Sequence, residues 1–320
     1  MTRVLITGAT GFVGSHLIAE CARRGWSVFG TAHPTETYDP AVVDPAEIER
    51  VELSDVEAVK ALVAKIGPEQ IYHLAAQASV QQAWRDPMAT ITNNVGAQLA
   101  ILSAARETCP AARILVISSS EVYGGADPAK MPVDEDAPLG PLDPYAVSKV
   151  TQEMLGLQHY LAFKMPVVRV RPFNHMGPRQ RPGFVGADFA RQVALIESGA
   201  MPPLIRVGKL DAVRDLSDVR DIVRAYTLAL TEGEAGAVYN VASGQGVAVH
   251  ALLDLFVAAS TTAIDVEADP ALFRPVDRPI IVGDAGRLRA RTGWEPRIAL
   301  EQTVRDTLDF WRSLAAQNRA

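Results

Sequence analysis

The chain predicts a doubly wound α/β fold: a parallel sheet covered on both faces by helices, with a smaller α+β domain attached. Three observations point there. Short runs such as Ile114-Leu115-Val116-Ile117 are wholly apolar, as strands buried on both faces are. Up to about residue 170 these runs alternate with helix-period segments. A glycine-rich turn joins the first run to the first helical segment.

In chain order, strands are expected at 3–7, 27–31, 50–53, 70–75, 113–119 and 167–171, each a short run rich in β-branched residues. Helices are expected between them at 15–24, 56–65, 89–107 and 144–163, from their helical period. The last opens on Asp143-Pro144, an acid in capping position before a proline in the first turn. After Pro172 the pattern loosens, with Gly177-Pro178, Pro182-Gly183 and Pro202-Pro203. A helical stretch at 218–230 then precedes a strand at 237–242. The expected division is a first domain of 1–171, to which 217–243 returns, and a second of 172–216 and 244–320.

The 320 residues leave room for about two domains. With 48% hydrophobic and 21% charged residues, disorder, collagen and coiled coil are excluded. A net charge of −6 argues against a polyanion-binding surface, so neither nucleic acid nor anionic membrane is an expected partner. Cys21 and Cys109 stand in unrelated contexts, which fits a reducing, cytoplasmic setting better than a disulfide framework. The N-terminal apolar stretch is interrupted by glycines and lacks both a basic leader and a cleavage site. No apolar run approaches the roughly 18 residues of a membrane span. Six histidines show no ligand spacing, so no metal is expected.

Thr7-Gly8-Ala9-Thr10-Gly11-Phe12-Val13-Gly14 follows the first strand and opens the first helix. Gly8 permits a tight turn, Gly11 lets backbone approach a pyrophosphate, and Gly14 lets helix and strand pack closely. The helix N-terminus adds free amides and a partial positive charge. The pattern predicts a dinucleotide-binding Rossmann turn, with Gly8, Thr10, Gly11, Phe12, Val13 and Gly14 as expected cofactor residues. At the end of the second strand, Thr31-Ala32-His33-Pro34 offers neither the acid that binds a ribose 2′-hydroxyl nor an arginine for a 2′-phosphate. The missing acid favours NADP(H), and NAD(H) stays open.

Tyr-x-x-x-Lys occurs twice, as Tyr145…Lys149 and Tyr160…Lys164. The first pair shares one face of a helix near its N-terminus. Tyr160 lies about 22 Å further along the same helix and cannot reach the same site, so its pair is expected on the surface. A tyrosine with pKa near 10 is poorly matched to acid–base work at neutral pH, and bringing it there costs about 4 kcal/mol. A lysine ammonium and a helix N-terminus both favour the phenolate. Ser118-Ser119-Ser120-Glu121 closes a strand, and in a parallel sheet ligands bind beyond the strands' carboxyl ends. A serine hydroxyl there can hold a reacting oxygen.

The Gly-x-x-Gly-x-x-Gly spacing and the tyrosine–lysine pair resemble the extended, nucleotide-sugar branch of the short-chain dehydrogenase/reductases. His73-Leu74-Ala75-Ala76-Gln77, Asn94-Val95-Gly96 and Ser120-Glu121-Val122-Tyr123-Gly124 carry the resemblance. So do Arg171-Pro172-Phe173-Asn174-His175-Met176-Gly177-Pro178, Asp211-Ala212-Val213-Arg214-Asp215 and Tyr239-Asn240-Val241-Ala242-Ser243-Gly244. With Phe273-Arg274-Pro275 and Thr292-Gly293-Trp294-Glu295-Pro296, the chain is most similar to the GDP-4-keto-6-deoxy-D-mannose reductases, which make GDP-D-rhamnose.

That resemblance implies reduction of a sugar C4 ketone by NAD(P)H. Tyr145 would donate the proton, Ser119 or Ser120 would hold the oxygen, and Lys149 would tune the tyrosine. Glu121 joins this catalytic set by position. Glu52, Leu53, Leu74, Ala75, Ala76, Gln77, Ser118, Pro172 and His175 would contact the cofactor. Asn174, Arg191, Lys209, Arg214, Arg274 and Asp277 would hold the GDP-sugar substrate. The resemblance also implies a homodimer joined through a four-helix bundle of segments 89–107 and 144–163. Lys209 stands where the family usually shows asparagine. Glu121 matches the glutamate with which related GDP-mannose 4,6-dehydratases take a proton from C5, so a dehydratase or 4-epimerase is the alternative. Against it, Asn174-His175-Met176-Gly177-Pro178 replaces the Asn-His-Glu-Ser-Pro of those dehydratases. A third class, proteins that bind NADP without turnover, typically lacks the tyrosine or lysine retained here.

Overall fold

The computed structural model describes residues 1–273 and 278–317. Its first half is the alternation expected from sequence: β1 (Arg3–Thr7), α1 (Phe12–Arg23), β2 (Ser27–Ala32), α2 (Pro40–Val43), β3 (Glu47–Arg50), α3 (Val56–Ile66), β4 (Gln70–His73), α4 (Val80–Arg85), α5 (Pro87–Thr108), β5 (Arg113–Ile117), α6 (Pro144–Phe163) and β6 (Val167–Pro172). The helices start where short polar side chains cap them. Asp55, Asp86 and Asp143 accept from the amides of Ala58, Ala89 and Ala146 at 3.0, 2.9 and 2.8 Å. Pro87 and Pro144 follow two of these caps, where their missing N–H costs nothing.

Seven parallel strands form the main sheet, in the order β3-β2-β1-β4-β5-β6-β10, where β10 (Val238–Val241) is contributed from late in the chain. β10 pairs with β6, Val238 opposite Arg169, and is preceded by α8 (Val219–Glu232), which packs on β5 and β6. The order reverses between β1 and β4, which opens a crevice at their carboxyl ends. Buried clusters fill both faces of the sheet: Val4, Ile6, Leu115 and Val168 on one, Leu5, Ile71, Ile114 and Val167 on the other. This two-sided burial explains the unbroken apolar runs.

One strand lies elsewhere than expected. The sequence predicts a strand at 50–53, yet β3 ends at Arg50. Ile48 is the residue that packs inward, its Cδ1 lying 2.6 Å from where a Cβ on Gly30 would stand. The chain then turns, with Val51 donating to Ala32 O at 3.1 Å. Val51, Glu52 and Leu53 therefore leave the sheet and line the crevice. β4 and β5 also stop at His73 and Ile117, which frees 74–75 and 118–119 as loops at the same edge.

The other elements form a smaller lobe. β7 (Asn174–Met176), β9 (Val213–Asp218), β11 (Gly246–Ala248) and β13 (Ile280–Ile281) share one sheet, and β8 (Leu204–Val207) pairs with β12 (Asp265–Ala268). α7 (Val185–Glu197), α9 (Val249–Ala258) and α11 (Leu300–Gln317) close a separate core around Phe189, Val193, Ile205, Phe256 and Leu308. α10 (Gly286–Thr292) packs back on α8 and β10. No helix among the described residues is long and apolar enough to cross a membrane.

Candidate active site

The glycine turn is built by close packing. Gly8 adopts φ +67°, and a Cβ there would stand 3.0 Å from both Cα and N of Ala75 across the β1–β4 reversal. At Gly14 a Cβ would fall 2.3 Å from Gly8 O. Ala9 N donates to Thr31 O at 3.1 Å, which ties the turn to β2. No side chain caps α1, so its first amides have no side-chain partner at the N-terminus. Beside it runs a groove of ≈ 450 Å³ lined by Gly8, Thr10, Gly11, Glu52, Leu53, Leu74, Ala75, Ala76 and Gln77. Nine residues expected at the cofactor from separate stretches of sequence thus meet in one groove. Phe12, Val13 and Gly14 form the turn of α1 above it.

Sequence reasoning missed the residues at the outer end of this groove. Glu36, four residues past β2, accepts from Thr10 Oγ1 at 2.7 Å and pairs with Arg181 at 2.8 Å. Arg50 donates to the carbonyls of His33, Pro34 and Glu36 at 3.2, 3.0 and 2.7 Å, which holds that loop in place. Neither Glu36 nor Arg181 carries a local signal, since one is past the strand end and the other arrives from the second lobe.

At the inner end, Asp143 caps α6 and directs Tyr145 and Lys149 into the sheet's carboxyl edge. The Tyr145 phenol lies near the Ser119 hydroxyl, which favours its ionised form. Lys149 Nζ donates to Ile117 O at 3.0 Å and lies 5.8 Å from the Tyr145 ring centroid. Both groups are buried, and burial dominates their protonation. It pushes the Tyr145 phenol up to about 12, against the pull of the Ser119 hydroxyl and with help from the Asp143 charge. It brings the Lys149 ammonium down to about 7. Burial thus acts against the pull that the lysine and the helix end are expected to exert on the tyrosine, with the ammonium 5.8 Å from the ring. His73, 2.8 Å from Thr7 Oγ1, is held neutral by burial and by the Lys149 charge, its pKa near 3.

Of the candidate serines, Ser119 is the one near the Tyr145 phenol, and its Oγ accepts from Glu121 N at 3.1 Å. Ser120 is buried in the 3-10 turn Ser120–Tyr123. The Ser118 hydroxyl is buried with no partner among the described residues. His175 stacks on Phe12 with ring centroids 6.0 Å apart, next to the end of β6 at Pro172, and burial lowers its pKa. Glu121 is ion-paired with Arg278, a residue that sequence reasoning passed over.

The expected substrate residues are less well gathered. Asn174 and Arg214 lie on the paired strands β7 and β9, with Asn174 Oδ1 buried and without a partner among the described residues. Arg214 donates to Val213 O and Arg278 O at 3.0 and 2.8 Å. Lys209 is 5.6 Å from the Phe273 ring centroid, and Arg191 is exposed on α7. Arg274 and Asp277 lie outside the described residues. Tyr160, expected on the surface, packs over Gly236: a Cβ there would stand 2.2 Å from the ring. No group of His, Cys, Asp or Glu among the described residues could hold a metal ion.

The chain is similar to known proteins over nearly its whole length. The model of the family described as GDP-mannose 4,6 dehydratase matches residues 5–307. GDP-6-deoxy-D-mannose reductase of Pseudomonas aeruginosa is 36% identical over 313 residues, 97% of each chain. The structure of RMD from Pseudomonas aeruginosa complexed with NADPH superposes with a TM-score of 0.86 at 34% identity, covering 98% of this chain and 100% of that one. A Thermus thermophilus UDP-glucose 4-epimerase complexed with NAD gives 0.87 at 30% identity, over 97% and 99%.

Proposed function

The chain belongs to the GDP-mannose 4,6-dehydratase family, and from that premise we propose that it reduces the C4 ketone of GDP-4-keto-6-deoxy-D-mannose with NAD(P)H to give GDP-D-rhamnose. The observation that carries this reading is the gathering of Ser119, Tyr145 and Lys149 at the carboxyl edge of β5, with Lys149 Nζ on Ile117 O and 5.8 Å from the Tyr145 ring centroid. Residues 1–171 with 217–243 would hold the cofactor, and 172–216 with 244–320 the nucleotide sugar.

The groove suits a nicotinamide dinucleotide, because Gly8 and Gly14 let the turn pack tightly against the segment after β4 and against α1 beside it, and no side chain caps the start of α1. NADP(H) is the cofactor we propose, consistent with the NADPH in the similar Pseudomonas structure. Bound there, the nicotinamide supplies the hydride that adds to C4. Ser119 holds the ketone oxygen, and Tyr145 passes its phenolic proton to the alkoxide as it forms. A tyrosine raised to about 12 is fully protonated at neutral pH, as a proton donor must be. Lys149, still partly charged at a pKa of about 7, stabilises the phenolate left behind. Asn174 and Arg214, with Arg191, Lys209, Arg274 and Asp277, are proposed to bind the GDP moiety, guanidiniums matching the diphosphate bidentately.

We also propose a cytoplasmic homodimer. α5 and α6 pack side by side, and Leu99, Val147, Met154 and Leu161 remain exposed on them, a face suited to the same helices of a second copy.

The test mixes purified protein, NADPH and GDP-4-keto-6-deoxymannose, follows nicotinamide absorbance and identifies the sugar nucleotide. NADPH oxidation with GDP-rhamnose as product is the expected outcome. No oxidation of NADPH, with conversion of GDP-mannose instead, would replace the reductase by the dehydratase that the retained Glu121 allows.

A further inference from the structure

Glu121 sits two residues beyond Ser119, its amide held by the Ser119 hydroxyl, in the turn that carries the reacting end of the site. Its side chain is 18% exposed and its carboxylate meets Arg278 Nη2. The Arg278 side chain is 14% exposed. Its Nη1 is buried with no partner among the described residues. The backbone around it is fixed from β9: Arg278 O accepts from Arg214 at 2.8 Å, and Pro279 O accepts from Val213 N at 2.7 Å. A cation has therefore been brought out of water and anchored against one carboxylate, two residues along the chain from Ser119.

Elementary chemistry says what an unpaired carboxylate could do there. A ketone at C4 makes the C5–H bond acidic. A nearby carboxylate can accept that proton, with the C–H electrons passing into a C4 enolate. Protonation of C5 from solvent then restores the ketone, with the configuration at C5 at risk. A reductase needs the ketone intact until hydride arrives.

We propose that Arg278 restricts this site to reduction by holding Glu121 as an ion-paired carboxylate too weakly basic to enolise the keto sugar. The proposal rests on the 4-keto-sugar reading above. An adjacent guanidinium stabilises the ionised acid and lowers its proton affinity, and a buried acid stripped of that partner moves the other way and becomes a stronger base. Burial lowers the Arg278 pKa to about 10, so it stays cationic at neutral pH. Arg278 is in this sense a positioning residue, acting on the sugar only through Glu121.

The experiment incubates GDP-4-keto-6-deoxymannose with protein and NADP⁺ in deuterium oxide and reads deuterium at C5 by NMR and mass spectrometry. NADP⁺ cannot reduce the ketone, so exchange is seen by itself. Wild type and R278K are expected to exchange no faster than the buffer blank. R278M should exchange at least about tenfold faster, and the double variant E121Q/R278M should return to the blank. R278Q, which keeps the polar contact without the charge, should fall between and serves if R278M does not fold. Wild-type exchange at the rate of R278M would overturn the proposal, as would rapid exchange that persists in the double variant. Reduction of the same sugar by NADPH is measured in parallel. No reduction by wild type overturns the substrate reading, whereas reduction with unchanged exchange in the neutral variants overturns the role of Arg278.

Discussion

Replacing Gly14 by alanine should unseat the cofactor more than it unfolds the protein. A Cβ at this position would lie 2.3 Å from Gly8 O, 2.6 Å from Ala9 O and 2.8 Å from Ala9 C. These are backbone atoms of the turn and cannot rotate away. Relief to an ordinary carbon–oxygen contact of about 3.3 Å requires the start of α1 to withdraw by about 1 Å. Overpacking of this kind costs about 1–3 kcal/mol of stability. The same shift carries the first amides of α1 away from where the pyrophosphate must bind, and one charge-assisted hydrogen bond lost is worth about 1.5–3 kcal/mol. NADPH affinity should fall roughly 10- to 100-fold. Titration calorimetry with NADPH measures it, and urea denaturation measures the stability cost. Gly25→Ala is the control: φ is +74° there, with no heavy atom within 4 Å of the new Cβ. Strain at Gly25 should cost about 1–2 kcal/mol of stability and leave NADPH binding unchanged. If Gly14→Ala binds NADPH as tightly as wild type, the close helix–strand contact does not seat the cofactor and the reasoning fails.

Two further outcomes follow from the inner end of the site. Tyr145→Phe keeps the ring and removes the hydroxyl near Ser119. Turnover should fall about 10²–10⁴-fold while NADPH affinity changes less than about threefold, and unimpaired turnover would show that the proton comes from elsewhere. Lys149 predicts a pH dependence of stability. Its pKa is about 7 in the fold against an ordinary 10.5, so between these values the unfolded chain binds a proton that the folded chain lacks. Stability must then rise with pH across that window, by up to about 1.4 kcal/mol per pH unit, while below it the burial penalty persists in full. Urea midpoints from pH 7 to 9.5 should climb more steeply for wild type than for Lys149→Met, and parallel curves would contradict the burial of a titrating lysine.

Some of this was legible in the residues. The glycine turn, the capped helix that starts at Asp143-Pro144, and the parallel sheet are all dictated by neighbours in sequence. Their causes are the steric tolerance of glycine, the spacing of side chains on one helix face and the apolar runs of two-sided strands. Glu52 and Leu53 were expected at the cofactor for reasons of resemblance and do line the groove, but not as strand: Ile48 packs inward and ends β3 three residues earlier.

What the tertiary structure alone decided are the pairings between distant segments and the water they exclude. Glu36 meets Arg181 across 145 positions, and Glu121 meets Arg278. Each is an unremarkable charged residue in its own stretch, and no periodicity reports a partner in another lobe. The same holds for protonation. The sequence by itself places Lys149 on the face of Tyr145, which argues for an acidified phenol. Only the packed sheet shows that both groups lie out of water, where burial pushes the Tyr145 phenol up and the Lys149 ammonium down.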